Sequence, residues 1–565
     1  AIKDILTALK DEDRTTALMA CGTGKTLVAL WVSERMCCQN ILVLLPSLTL
    51  VRQTLHEWLR ETEWQHLSYL CVCSDPTVAG KELDSIKINQ SDLDFAVTSD
   101  SSAVKQFLSQ STKGVKIIFS TYQSAHIVAE GVDNDFRFDL GIFDEAHKTA
   151  GREGKKFGFA LKDDNLRIKK RLFLTATPRH YNINRRNEEG DFDLVYSMDN
   201  PDVYGKVAHQ LSFAAAARQG IICNYKVIIS VVTSEQVSKE LLKRGEVLIN
   251  GDVVNAQQVA NQIAFKEAIG KYSIKRIFTF HKSVKTAKSF TGKDSEGIHT
   301  QLPAFNTFHV NGTMPTAVRE GVMNEFKDSD YSIISNARCL TEGVDLPAVD
   351  MVAFMSPKKS KVDIVQATGR AMRKDPQNPD KILGYILVPL YLEIKTGESI
   401  EDAVAKADFG EDWNVLQALQ EQDEVLTDTI RQMQEDKGRY GKHKDDGFGV
   451  KVEILGVNIS LNTLQEFITA VCIDKLGFTW DLRYGELIKY KERFGDCNVS
   501  REWKDTKQLG TWVSTQRTNY REGKLNDDQV KRLEVLGFVW NQKESQWEEM
   551  FVALKEYKDK HGDCV

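Results

Sequence analysis

The chain has 565 residues, 42% of them apolar, and a formal net charge of −6. That length exceeds one hydrophobic core and predicts roughly three to four domains, while the acidic balance excludes a polycation that coats nucleic acid but not a local basic track. With no run of about eighteen apolar residues and no charged-then-apolar leader, the sequence predicts an intracellular, cytoplasmic protein, nucleoid-associated in a bacterium, rather than a membrane-spanning or secreted one.

First in chain order comes a short apolar strand, Ala17-Leu18-Met19-Ala20, running into Cys21-Gly22-Thr23-Gly24-Lys25-Thr26 and a helical pattern over 27–38. Triphosphate oxygens need several backbone N–H donors close together. Gly22 and Gly24 lack the Cβ that would obstruct them, Thr23 sits between, and a helix N-terminus behind adds its positive end. Lys25 is then placed to neutralise the β- and γ-phosphates of ATP, and the Thr26 hydroxyl to ligate Mg²⁺. Met19 stands where a phosphate loop ordinarily has glycine, so a glycine-rich turn before a buried helix is the competing reading.

The apolar run Ile41-Leu42-Val43-Leu44-Leu45 ends at Pro46 and reads as a strand buried on both faces of a parallel sheet, with Ser47 opening the next helix. Further apolar runs fall at 67–72, 95–98 and 115–120, the last closing with Ser120-Thr121-Tyr122-Gln123. Strands alternating with helices imply βαβ units, whose loops at the carboxyl ends of the strands share one ligand face. Onto that face Leu140-Gly141-Ile142-Phe143 delivers Asp144-Glu145-Ala146-His147. Two consecutive carboxylates behind an apolar run are costly to bury unless a cation or a proton occupies them. Mg²⁺ held by Asp144, with Glu145 polarising the water that attacks the γ-phosphate, meets that need; an exposed acidic loop is the alternative.

Gly24-Lys25-Thr26, then Asp144-Glu145-Ala146-His147, then Thr175-Ala176-Thr177-Pro178 after the strand Leu172-Phe173-Leu174 resemble the first motor lobe of superfamily 2 DNA and RNA helicases of the DEAH type. The stretch from Met19 to Thr26 and the run Thr175-Ala176-Thr177-Pro178-Arg179 look most like the motors of type I and type ISP restriction enzymes. The resemblance implies an α/β fold: two tandem RecA-like parallel-sheet lobes followed by an all-α C-terminal region. It also implies that His147, Thr175 and Thr177 couple hydrolysis to movement between the lobes, since hydroxyls beside the γ-phosphate can exchange partners as it leaves.

Lobe one is expected over 1–202 and lobe two over 203–395, with the crossing in the segment from Asp199 to Gln219, which carries Pro201, Gly205 and the helix-forming Ala214 to Ala217. A second alternating series includes Arg276-Ile277-Phe278-Thr279-Phe280-His281, followed by Ser283, and Phe308-His309-Val310-Asn311-Gly312. Asn336 to Asp345 resembles the family's fifth motif, in which Asp345 approaches the ribose and Thr341 the nucleic-acid backbone. Gln366-Ala367-Thr368-Gly369-Arg370-Ala371-Met372-Arg373 resembles its sixth, and Gln366, Arg370 and Arg373 are its catalytic candidates. Two arginines three apart on a helix point the same way, so both guanidiniums can reach one phosphate; such fingers are worth about 10³ to 10⁵ in rate. Outside the family order the same pair would read as a solvated helix face.

Ser47, Thr121, Ser283, Gly312 and Thr341, all on loops after strands, are the candidate nucleic-acid contacts, because small hydroxyls and loop N–H groups suit phosphates without reading sequence. Turn-forming residues have the same composition. Lys169-Lys170-Arg171 reads as a solvated basic surface.

Residues 396–474 are expected to form a helical connector. An internal repeat follows: Leu476-Gly477-Phe478-Thr479-Trp480 recurs as Leu536-Gly537-Phe538-Val539-Trp540, and Tyr490 to Cys497 recurs as Tyr557 to Cys564. The first copy, 475–541, reads as a three-helix module resembling the helicase-associated domain, with a capping box at Asn526 to Gln529 and with Arg517, Arg521 and Lys524 near a helix end either as a docking edge for DNA or in a brace or partner-binding role. Residues 542–565 look like the truncated start of a second copy. With no initiator Met, the chain reads as a fragment. Its ten cysteines lack a Cys/His set at zinc spacing and read as buried free thiols.

These readings predict an ATP- and Mg²⁺-dependent motor that moves on or unwinds DNA, with RNA left open. Two alternatives stand beside it. One is an ATP-switched nucleic-acid-binding sensor or scaffold; the other is the motor subunit of a restriction or phage-defence assembly whose nuclease or methyltransferase lies on a missing segment or a partner chain.

Overall fold

The computed structural model describes residues 1–73, 95–133, 135–151, 157–179, 196–243, 253–293, 297–312, 314, 316–337, 349–356, 360–375, 378–395, 397–398, 402–403, 413–442, 447–456, 479–500 and 507–563. They form two compact units, one built from Ala1–Val425 and Val450–Leu464, the other from Leu426–Gly449 and Gln465–Val565. Among the described residues no helix is long and apolar enough to cross a membrane.

The first unit holds two parallel sheets. Strands β1 (Arg14–Met19), β2 (Asn40–Leu45), β3 (Leu67–Val72), β4 (Val97–Thr98), β5 (Val115–Thr121), β6 (Phe138–Asp144), β7 (Ile168–Thr175) and β8 (Lys206–Leu211) form an eight-stranded sheet in the order β4-β3-β5-β2-β6-β7-β1-β8. Parallel neighbours need a crossover, and the helices Lys25–Arg35 and Leu48–Glu61 supply those after β1 and β2. Because helices cover the sheet, the central strands are apolar on both faces: Ile41 to Leu45 are all buried. The helix Leu48–Glu61 turns its buried face inward, where Trp58 packs edge-on against Phe119 at 5.6 Å.

The second sheet contains β9 (Asn224–Thr233), β10 (Arg276–Phe280), β11 (Asn306–Asn311), β12 (Ser332–Ala337), β13 (Met351–Phe354), β14 (Leu383–Leu392) and β15 (Val452–Gly456), ordered β11-β12-β10-β13-β14-β9-β15. All registered pairs in both sheets are parallel.

Three features depart from the sequence expectation. The first sheet continues past residue 202, since β8 pairs with β1. As an edge strand, β8 leaves its polar side chains half exposed, so it carries no buried apolar run. Likewise β15 lies inside the stretch read as helical connector, where it closes the far edge of the second sheet beside β9. Arg171 is not on a solvated surface. It sits fully buried in β7, a strand flanked on both sides, pairs with Asp163 at 2.6 Å and donates to the carbonyls of Ile168 and Leu166.

The second unit is helical in its described part. Helices Thr479–Phe494, Lys507–Arg521 and Asp527–Val535 enclose Leu487, Cys497, Val513, Leu533 and Phe538, with Trp480, Trp512 and Trp540 around them. Asn526 and Gln529 form a reciprocal capping box that starts the third of these helices. Helix Glu424–Tyr440 joins at a paired close approach: a Cβ at Gly438 would strike the Leu482 carbonyl, and one at Gly485 the Glu435 carbonyl. Arg532 binds Glu435 and Asp481 while lying over the rings of Trp480 and Tyr484. Arg517 is also spent internally, donating to the Val539 carbonyl and to Asn498 and lying over Phe538, so it is a brace rather than a free docking cation. Helix Gln542–His561 exposes Trp547, Phe551, Leu554 and Tyr557. When the repeat is aligned on Tyr490 and Tyr557, these fall at the positions of Trp480, Tyr484, Leu487 and Tyr490.

Candidate functional site

The site starts where β1 ends. Gly22 and Gly24 both take φ +81, the left-handed region in which an L side chain costs about 1–2 kcal/mol, and Gly24 caps the helix Lys25–Arg35. Thr23 folds inward, its hydroxyl donating to the Ala20 carbonyl at 2.7 Å. Lys25 is buried and donates to the Met19 carbonyl at 3.4 Å, with Glu145 Oε1 4.0 Å away. Met19 thus turns its side chain into the core and its carbonyl to the lysine. Burial pulls the Lys25 pKa down, but the nearby Glu145, Cys21 and Asp144 outweigh it and hold the ammonium above its ordinary range. The Trp58 indole N–H donates to the Thr26 carbonyl at 3.0 Å, securing the first turn of the helix.

The register explains how the acidic pair meets the cradle. β7 lies between β6 and β1; Asp144 is level with Leu174, and Thr175 with Leu18. Burial pushes the Asp144 carboxyl up, opposed by Lys25 and by the Glu145 N–H, which donates to Asp144 Oδ1 at 2.9 Å. The Tyr122 hydroxyl holds the Asp144 carbonyl at 2.7 Å. Glu145 has φ +48, a strained conformation for a residue with a side chain, worth about 1–3 kcal/mol where the surroundings enforce it. Its carboxylate thereby faces Lys25 on one side and His147 Nδ1, at 3.4 Å, on the other. His147 Nδ1 also shares a 3.0 Å hydrogen bond with Thr175 Oγ1, which accepts from the Thr177 N–H at 3.1 Å. Burial holds His147 neutral, and its Nε2 is a buried polar atom with no hydrogen-bond partner among the described residues. Lys25, Asp144, Glu145, His147, Thr175 and Thr177 therefore form one connected cluster.

The second sheet of the same unit brings its helix Lys361–Ala371 against the cradle. The helix starts at Ser360, whose hydroxyl accepts the Asp363 N–H, and carries Gln366 and Arg370. Arg373 lies just past the helix end, its N–H donating to the Arg370 carbonyl at 3.3 Å, so the pair is related by one turn but only Arg370 is helical. A Cβ at Gly369 would sit 2.5 Å from Cys21 Cβ, and a Cβ at Gly22 would sit 3.5 Å from Arg373 Cγ. The charge of Arg373 is felt at Lys25 and at the Cys21 thiol, which burial pushes up. Gln366 Oε1 is a second buried polar atom of the site without a hydrogen-bond partner among the described residues. A further tie joins the sheets' helices where Arg52 pairs with Glu320.

The described nucleic-acid candidates sit at or just after carboxyl ends of strands, Ser47 and Thr121 on the first sheet and Ser283 and Gly312 on the second. Ser47 caps the helix Leu48–Glu61, and Ser283 caps Val284–Phe290 in a capping box with Thr286. Gly312 follows β11. Thr121 is buried and its hydroxyl bonds Ser124 at 2.8 Å, so it does not present an open hydroxyl. Thr341 and Asp345 lie outside the described residues. Tyr122 and Trp58, which steady the acidic pair and the cradle, stand outside the motif residues, and the aromatic directly after Ser120-Thr121 is the one local signal of this role.

Three family models match the chain: "Type III restriction enzyme, res subunit" over 1–180, "Helicase conserved C-terminal domain" over 260–375 and "Helicase associated domain" over 478–541. The chain carries superfamily 2 helicase domains and a helicase-associated domain. Among its curated relatives, the probable helicase A859L of African swine fever virus (isolate Pig/Kenya/KEN-50/1950) is 26% identical over 396 residues, covering 69% of this chain and 40% of that protein. The DNA 3'-5' translocase XPB2 of Sulfurisphaera tokodaii is 23% identical over 388 residues, 64% of this chain and 75% of that one. Among solved structures, the ATP-dependent type ISP restriction-modification enzyme LlaBIII bound to DNA matches 96% of this chain and 40% of its own, with a TM-score of 0.66 and 25% identity. The chain thus spans 40% of the length of the viral relative and of the type ISP enzyme. Its two parallel-sheet lobes are RecA-like.

Proposed function

We propose that this helicase is a nucleic-acid-stimulated ATPase that moves on or unwinds DNA. The observation that carries the reading is the contact of a glycine cradle, joined through Lys25 to the acidic pair on the same sheet, with the helix bearing Arg370 on the other, inside one compact unit. The donor set fits ATP and Mg²⁺: the cradle glycines hold left-handed backbone, a buried Asp144 and a partly buried Glu145 lie side by side, and among the described residues His147 Nε2 and Gln366 Oε1 have no hydrogen-bond partner. Mg²⁺ held by Thr26 and Asp144 would neutralise phosphate charge. Lys25 binds the β- and γ-phosphates, and its present hold on the Met19 carbonyl is weak enough to exchange for a phosphate oxygen. Glu145 orients the attacking water and takes its proton. Arg370 and Arg373 stabilise charge on the γ-phosphoryl, and Gln366 positions them. Asp345 approaches the ribose. His147, Thr175 and Thr177 form the relay through which loss of the γ-phosphate alters the inter-lobe contact. Ser47, Ser283, Gly312 and Thr341 face the DNA backbone.

Lys25→Ala and Glu145→Gln are expected to fold and to abolish DNA-stimulated ATP hydrolysis; unchanged turnover removes the reading. Displacement of a third strand from a triplex separates a motor from an ATP-switched sensor, since only a moving protein strips it. The likeness to a type ISP enzyme over 96% of the chain favours one further reading, a motor working with a nuclease or methyltransferase. ATP-dependent DNA cleavage or methylation upon adding such a subunit tests it.

A further inference from the structure

Lys381 is a buried cation to which the proposed hydrolysis assigns no part. It is 8% exposed, in the loop before β14, and a buried ammonium costs several kcal/mol unless its donors are well used. Its Nζ donates to two main-chain carbonyls from separate segments, Arg373 at 2.8 Å and Val349 at 2.8 Å. The first belongs to the turn after the helix Lys361–Ala371, where carbonyls lack intrahelical partners and the helix dipole favours a positive charge.

The second is a firm anchor. Val349 is fully buried at the entry to β13, and its neighbour Asp350 accepts the N–H groups of Lys275 and Arg276 through its carboxylate and the Tyr385 N–H through its carbonyl. Other grips hold the same turn: the Cys223 N–H donates to the Met372 carbonyl at 2.7 Å, and Arg276 pairs with Asp375 at 3.1 Å. The Cys223 thiol also reaches the Arg373 carbonyl, at 3.7 Å, but Lys381 holds it at 2.8 Å through a charged donor, and the backbone direction there decides where the Arg373 side chain starts across Gly22.

We propose that Lys381 is a positioning residue for Arg373, tying the turn that carries this arginine to the entry of β13. This rests on the ATPase reading above, in which Arg373 reaches the γ-phosphate. The role accounts for a cation where Met would fill the space at less cost. It also separates Lys381 from the arginines: it does not touch the nucleotide and acts only through the carbonyl of Arg373.

The test is a cycle of Lys381→Met, Arg373→Ala and the double variant, read as DNA-stimulated kcat and as KM for ATP. Lys381→Met is expected to lower kcat about tenfold to a hundredfold, the loss typical of a misplaced catalytic group, with KM moving less than about threefold. In the Arg373→Ala background it is expected to cost nothing further, and Lys381→Arg is expected to recover most of the loss. A merely structural lysine would reduce activity by the same factor in both backgrounds, and that multiplicative result overturns the proposal. The double variant also guards against misfolding, which lowers both backgrounds alike. If Arg373→Ala itself leaves turnover intact, the ATPase reading of the arginine fails and the proposal falls with it, a result distinct from multiplicativity.

Discussion

Substituting Gly369→Ala tests whether the two lobes must touch for hydrolysis. The new Cβ would lie 2.5 Å from Cys21 Cβ, whereas carbon atoms settle at about 3.5–4.0 Å, so the lobes must part by about 1 Å. The struck atom is a Cβ next to the cradle backbone, not the end of a flexible side chain, so a rotamer change gives no relief. A displacement of about 1 Å at reacting groups costs about 10²-fold in rate, and that is the loss expected in DNA-stimulated kcat. Within its own helix the same change acts the other way, since Ala exceeds Gly in helix propensity by about 1 kcal/mol. Thermal melting is therefore expected to hold or rise while turnover falls. Cys21→Gly removes the obstructing carbon, so the double variant is expected to regain most of the lost rate. Wild-type turnover in Gly369→Ala, or a loss of melting temperature that tracks the loss of rate, refutes the reasoning.

Two further outcomes concern stability. Burial holds the His281 pKa at about 3 against an ordinary value of about 6.5. The folded state thus binds fewer protons than the unfolded one between these values, and stability contributed at neutral pH is lost as pH falls through that window, at about 1.4 kcal/mol per pH unit. His281→Asn is expected to flatten the pH dependence of urea unfolding below pH about 6.5; an unchanged slope removes that assignment. In the second unit, Arg532→Ala leaves Glu435 and Asp481 without the cation that binds both, and breaking such a buried set costs about 3–5 kcal/mol. Amide exchange in the helices Glu424–Tyr440 and Thr479–Phe494 is expected to accelerate together, and unaltered protection would show the cluster to be dispensable.

What the sequence disclosed follows from how locally each feature is determined. Central strands such as β2 and β6 are legible because burial on both faces demands an unbroken apolar run, and the Asn526 to Gln529 box because its partners lie within one helical turn. The cradle is legible for the same reason: its glycines answer to a backbone conformation, which four consecutive residues define. Edge strands escape for other reasons: β8 exposes Lys206, Val207 and Gln210 and so shows no buried apolar run, and β15, though mostly buried, is short enough to hide in a charged stretch.

Buried ions escape for a different reason. Arg171 is neutralised by Asp163, which precedes its strand, and Lys381 finds the Val349 and Arg373 carbonyls in separate segments; nothing in a sequence window distinguishes them from solvated cations. The same limit falls on the site's most consequential contact. Gly369 reads as one glycine of a motif, and Cys21 as the residue before a phosphate loop, yet their closeness governs how near the arginines come to the cradle. Motif chemistry sits in short windows, whereas the distance between motifs is a property of the packed lobes. Substitutions that leave every motif intact but alter that distance, at Gly369 or Lys381, are therefore the ones that separate a working cleft from a merely complete set of residues.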